Sequence, residues 1–127
     1  MGAGHNLKEA MKHFSLDEFD SPDVKGSGSK MNTSFLLRLD ELRERCDFPF
    51  KINSGYRTKE HNEKVGGRHR SSHRIGLAVD IHCNDSARRF KIVSEAVKMG
   101  FSRIGIAKTF IHIDDDRTKS QGVIWLY

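Results

Sequence analysis

The chain has 127 residues, of which 36% are apolar and 31% charged, with a mean hydropathy of −0.61. That length fits one compact domain with one core and leaves little room for a second. No stretch reaches the roughly 18–20 apolar residues that a membrane-spanning helix needs. The net charge of +5 favours an anionic partner such as nucleic acid, a membrane surface or an envelope polymer. The arginines, among them Arg43, Arg68, Arg74, Arg88 and Arg103, are scattered rather than gathered in a run, so charge alone selects none of these.

Residues 1–14 read as an N-terminal extension or tag-like segment, with Met11 a candidate natural start, and residues 15–127 as a single domain. Met1 to Ala10 lacks the apolar run of a secretory signal. The expectation is synthesis in the cytoplasm without a signal peptide. Cys46 and Cys83 form no CxxC pair and read as two free thiols.

Ser15-Leu-Asp-Glu18 has the form of a capping box, which predicts a short helix from Leu16. Breakers follow from Ser21-Pro22 to Lys30. Asn32 or Thr33 then caps a helix to about Arg45, with Phe35, Leu36, Leu39 and Leu42 on one face. Phe50 to Asn53 reads as a strand, Thr58 to Val65 as a brief helix stopped by Gly66-Gly67, and Arg68 to Ile75 as a polar loop. Leu77 to His82 alternates, with Leu77, Val79 and Ile81 on one face and Ala78, Asp80 and His82 on the other. Ser86 to Met99 predicts a second long helix with Phe90, Val93, Ala96 and Val97 inward and Gly100 as terminator. Arg103–Ala107 and Phe110–Asp114 form a predicted hairpin, and Val123–Leu126 a last strand. The sum is an α+β domain with helices packed on a mainly antiparallel sheet.

The chemistry lies in Ser71-Ser-His73-Arg-Ile-Gly76-Leu-Ala78-Val-Asp80 and in Phe110-Ile-His112-Ile-Asp114. An aspartate in an otherwise apolar strand is costly unless paired or metal-bound. Period-2 alternation sends Asp80 away from Val79 and Ile81, and His112 away from Ile111 and Ile113. Two imidazoles and one carboxylate, His73, His112 and Asp80, make the donor set of a catalytic zinc site with one position open. His5, His13, His61, His69 and His82 read as structural or surface histidines. Asp115 and Asp116 are expected in a solvated turn, and the Asp114–Asp116 run lacks the spacing of an EF-hand loop.

These strings, together with Ser54-Gly-Tyr-Arg57, Asn62 and Gly66-Gly67, resemble the zinc D-Ala-D-Ala carboxypeptidase family, in its short phage- and bacterium-associated branch. The resemblance runs from about Ser15 to Trp125. It implies a hedgehog/D-Ala-D-Ala-peptidase-like fold and one Zn2+ per chain held by His73, Asp80 and His112. It also implies hydrolysis of peptide bonds in peptidoglycan stems or crossbridges, a phage endolysin being one setting. The protein would then act on the cell wall after release or delivery, as a monomer without membrane insertion or a nucleic-acid partner. Arg57 would stabilise the developing oxyanion, and Ser71 would bond substrate or cap its loop. Better-known members carry an acidic general base three residues before the last histidine ligand, where this chain has Thr109. Asp114 is the nearest replacement and is expected to act as general base, the plainer alternative being a partner that orients a ligand.

Two other readings stay open on the sequence. A zinc-stabilised module could bind cell wall without cutting it, as the related site of the hedgehog signalling domain serves binding. A basic nucleic-acid-binding domain is opposed by phenylalanines in core-like registers and by the lack of a basic stripe.

Overall fold

The alternation around Asp80 is realised in the centre of a five-stranded sheet. The computed structural model describes residues 10–127. Strands β1 (Ile52–Ser54), β2 (Ala78–His82), β3 (Arg103–Ile106), β4 (Phe110–Asp114) and β5 (Val123–Leu126) lie in the order β1-β2-β4-β3-β5. All pairings are antiparallel except that of β5, which runs parallel to β3 at the sheet edge. The helices are α1 (Thr33–Cys46), α2 (Lys59–Lys64) and α3 (Ser86–Lys98), with short 3-10 turns at Leu16–Phe19, Ser27–Lys30 and Ser72–Ile75. The α+β expectation holds. No helix of the described residues is long and apolar enough to cross a membrane.

Register divides the sheet into two chemically different faces. Val79 pairs with Ile113 and Ile81 with Ile111, while Ile104 and Ile106 extend the same rows from β3. With Leu36, Leu39 and Leu42 of α1 and Ile92 and Ala96 of α3, these residues form one buried core. The other face carries Ala78, Asp80, His112 and Asp114, which is where the polar chemistry collects. Asn32 caps α1 by accepting the Phe35 N–H at 2.9 Å, and Asp85 caps α3 by accepting that of Arg88 at 3.0 Å. The Glu18 carboxylate reaches back to the Ser15 N–H at 2.8 Å, as the capping box predicts.

Several expectations shift. On α3 the inward residues are Ile92, Glu95 and Ala96, whereas Phe90 is 75% and Val97 52% exposed. Phe90 lies two positions before Ile92, about 200° around the helix, so the two cannot share a face. Glu95 tolerates burial because Lys91 and Lys98 reach it at 3.4 and 3.3 Å. The first strand begins at Ile52, and Phe50 goes into the core instead. The domain also reaches back before residue 15. Met11 and Phe14 are core residues, and the N–H groups of Lys12 and His13 donate to buried Asp40 at 3.0 and 2.9 Å. Cys46 and Cys83 are buried free thiols, and burial pushes the Cys46 thiol up to about 11.

Gly76 sits in the left-handed region at φ 72°, and its carbonyl accepts the Asn32 N–H at 2.9 Å. A Cβ there would stand 2.5 Å from the Lys30 carbonyl oxygen. This contact seats the loop that carries His73 against the entry to α1. Gly76→Ala is expected to cost about 2 kcal/mol of stability from strain at positive φ plus the clash. Urea denaturation of the metal-free protein measures this, and an unchanged midpoint would refute the close-approach account.

Candidate metal centre

Asp80 of β2 faces His112 of β4 directly across the ladder, and the 3-10 turn at Ser72–Ile75 swings His73 over both. Ser71 caps that turn, its hydroxyl accepting the His73 N–H at 3.2 Å. Of the two roles expected for Ser71, capping is the one seen; the residue also lines the cleft. The backbone anchors the turn on both sides, through Arg57 N–H to the His73 carbonyl at 3.1 Å and Leu77 N–H to the Ser72 carbonyl at 3.2 Å.

His73, Asp80 and His112 are all buried, and one ligand atom from each lies within 4.8 Å of the others. His73 Nδ1 donates to the Gly55 carbonyl at 2.8 Å, which leaves Nε2 facing Asp80 Oδ1 at 3.4 Å. His112 Nε2 donates to Asp114 Oδ2 at 2.7 Å, which turns Nδ1 toward Asp80 Oδ1 at 2.9 Å. Donors on a tetrahedral zinc stand about 3.3 Å from each other, so a modest spreading of the present arrangement would admit the ion. The residues therefore fit a zinc ion: both imidazoles have their inner nitrogen chosen by a hydrogen bond on the outer one. Among the described residues this is the one cluster of His, Cys, Asp and Glu that could hold a metal.

The electrostatics carry the same imprint. Burial pushes the Asp80 carboxyl up, but hydrogen bonds from His112 and His73 outweigh it and hold the group below the usual carboxylate range. Burial pushes His112 down, and the Asp114 and Asp80 carboxylates on its two sides reverse this to a net rise. His73 is lowered because burial dominates the single contact with Asp80. The two carboxylates thus favour positive charge at His112, beside the place a cation would take.

The centre opens on a cleft of about 720 Å³ whose walls include Arg57, Arg68, Lys119, Trp125 and Tyr127. A model of the peptidase M15 family matches residues 12–114. The chain belongs to that family. No curated protein matches it. The M15 match supports a zinc peptidase, and the His-Asp-His cluster lies within the matched residues.

Within this M15 domain the motif residues have distinct positions. Arg57 lies on the cleft wall, its Nε donating to Ser54 Oγ at 3.0 Å, one terminal nitrogen to Asn62 Oδ1 at 3.2 Å and the other reaching Asp80 Oδ2 at 3.5 Å. Asn62, 1% exposed, also donates to the Arg68 carbonyl at 2.8 Å. Gly67 must be small, since a Cβ there would meet Asn62 Oδ1 at 2.0 Å. Asp114 is 1% exposed, with Oδ2 on His112 and Oδ1 accepting from Arg103 Nε at 2.8 Å and the Asp116 N–H at 3.0 Å. It lies behind the imidazole, on the side away from the other two donors. That position suits the orienting role, with both oxygens engaged, and the residue also lines the cleft. Thr109 lies exposed in the β3–β4 turn and is not on the cleft wall.

Asp116, expected in a solvated turn, is 2% exposed. It accepts from Ser72 Oγ at 2.7 Å and from Thr118 Oγ1 at 2.6 Å, and Lys119 Nζ donates to Ser72 Oγ at 2.9 Å. Asp115 pairs with Arg38 at 2.6 Å. Sequence reading missed Ser72, Lys119, Trp125 and Tyr127: Ser72 adjoins His73 but shows its role only through Asp116 and Lys119, and the other three meet the site through the β5 register and the loop before it. His69 and His82 are exposed and off this cleft.

Asp114→Ala frees His112 to rotate and is expected to weaken zinc binding by about 10–100-fold. Competition titration against a chromophoric chelator measures it; unchanged affinity would show that Asp114 orients nothing. The raised His112 pKa gives a second expectation. Above its ordinary value of 6.5 the metal-free protein still holds a proton that zinc must displace. Zinc affinity should therefore rise with pH from 6.5 until His112 is deprotonated and then level off. An affinity that is flat across this range would contradict the paired-carboxylate picture.

Proposed function

We propose that this M15 chain is a zinc-dependent peptidase that hydrolyses peptide bonds in peptidoglycan stems or crossbridges, of D-Ala-D-Ala carboxypeptidase or endopeptidase type. One observation carries the reading: the buried His73, Asp80 and His112 present the donor set of a catalytic zinc on the floor of an open cleft. His73 Nε2, an Asp80 oxygen and His112 Nδ1 would hold one ion per chain. When bound, zinc would supply Lewis acidity there.

The chain's own residues do the rest. Gly55 and Asp114 fix the two imidazoles before any substrate arrives, so no reorganisation is needed at the moment of reaction. Arg57, held by Ser54, Asn62 and Asp80, aims a fixed positive charge at the carbonyl oxygen as it becomes anionic. Arg68 and Lys119 add positive charge to the cleft wall, which suits a peptide substrate that carries carboxylates. Asp114 serves the reaction by holding His112 rather than by moving a proton. A second reading, a zinc-stabilised module that binds cell wall without cutting it, draws on Thr109 at the place of the family's acidic base and on the engagement of Asp114.

The protein is expected to release new amino groups from purified sacculi, to stop when the metal is chelated and to recover with zinc. Hydrolysis indifferent to chelator would end the proposal, and zinc-loaded protein that binds sacculi but releases nothing would select the second reading. In the same assay Arg57→Met should lower kcat by about 10²–10³-fold with zinc content unchanged.

A further inference from the structure

The register of β5 brings an unassigned tyrosine to the cleft. Asp80 pairs with His112, His112 with Gly105, and Gly105 with Trp125, so these four residues form one row across four strands. At Gly105 a side chain is excluded: a Cβ would stand 2.7 Å from the Trp125 indole and 2.7 Å from Cε2 of Tyr127. The gap lets the indole lie 5.4 Å from the His112 ring. Cε2 is the ring atom next to the carbon that bears the hydroxyl, so that edge of the Tyr127 ring lies over Gly105, in the row that holds His112. Its ring is braced by Phe110 at 5.1 Å and by Trp125 at 6.4 Å. Tyr127 lines the same cleft as Arg57, His73, Asp80 and His112, yet lies beyond residues 12–114 that the family model matches.

Resting on the peptidase reading, we propose that Tyr127 is a catalytic residue whose phenolic O–H donates a hydrogen bond to the scissile carbonyl oxygen as charge develops on it. Arg57 reaches that oxygen from the β1 side of the sheet and Tyr127 from the β5 side. A donor is useful there only while it keeps its proton. A phenol, with an ordinary value of about 10, keeps its proton across the neutral range. Gly105 has a role by the same geometry: it is the opening through which β5 delivers both aromatic side chains to the centre.

Tyr127→Phe keeps the ring and its packing and removes only the donor; at a residue 66% exposed it leaves the fold intact. In zinc-loaded protein acting on muropeptides, kcat should fall about 100-fold, the scale of losing one oxyanion donor. KM and zinc content should stay unchanged. An unchanged kcat, or a loss confined to KM, overturns the proposal. If the wild-type protein hydrolyses nothing, the peptidase reading has failed and the donor is read by binding instead. A phosphinate analogue of D-Ala-D-Ala, with its tetrahedral anionic oxygen, is titrated into both zinc-loaded proteins. At least tenfold weaker binding by Tyr127→Phe keeps the hydroxyl as an oxyanion donor, and equal affinity removes it.

Discussion

The antiparallel pairing of β2 with β4 is the constraint from which the rest of the molecule follows. It places Asp80 opposite His112 on one face and Val79 and Ile81 opposite Ile113 and Ile111 on the other. A slip of one residue would drive an aspartate or a histidine into the aliphatic core and turn isoleucines toward the cleft. Because both consequences are costly, core packing and site assembly enforce the same register. The carboxylates that this register buries are tolerable because each is paired. Asp80 bonds His112 and approaches His73 and Arg57, while Asp114 takes His112, Arg103 and a backbone N–H.

Around that pair the site is built outward in hydrogen bonds. Gly55 and Asp114 each hold one imidazole by its outer nitrogen, and Asn62 and Ser54 hold the guanidinium of Arg57. Ser72, Asp116 and Lys119 tie the loop after β4 to the turn that carries His73. The sheet thus supplies Asp80, His112 and Asp114, while loops and turns supply His73, Arg57 and Lys119. Glycines enter where backbones or side chains must come close. Gly76 abuts Lys30, and Gly67 clears the Asn62 amide.

The amphipathic α1, the alternation of β2 and β4 and the three metal-site residues are legible in the sequence because each depends on local periodicity or on a short string. Other features required longer-range information. The inward face of α3 has several apolar candidates, and only packing against α1 and the sheet selects Ile92 and Ala96 over Phe90 and Val97. Asp116 looks like a turn residue until Ser72, 44 positions away, is seen to bond it. Met11 and Phe14 look detachable until they are found in the core.

The sequence alone determined which residues could bind a metal, since side-chain chemistry and strand alternation are properties of the chain itself. Tertiary structure decided which nitrogen of each histidine faces inward, and that Asp114 bonds the outer nitrogen of His112 while lining the same cleft. It also decided that Trp125 reaches the His112 ring across Gly105 and that Tyr127 lines the same cleft. Orientation depends on hydrogen bonds between residues distant in sequence, and the parallel addition of β5 to β3 is a non-local pairing that no period in the sequence encodes.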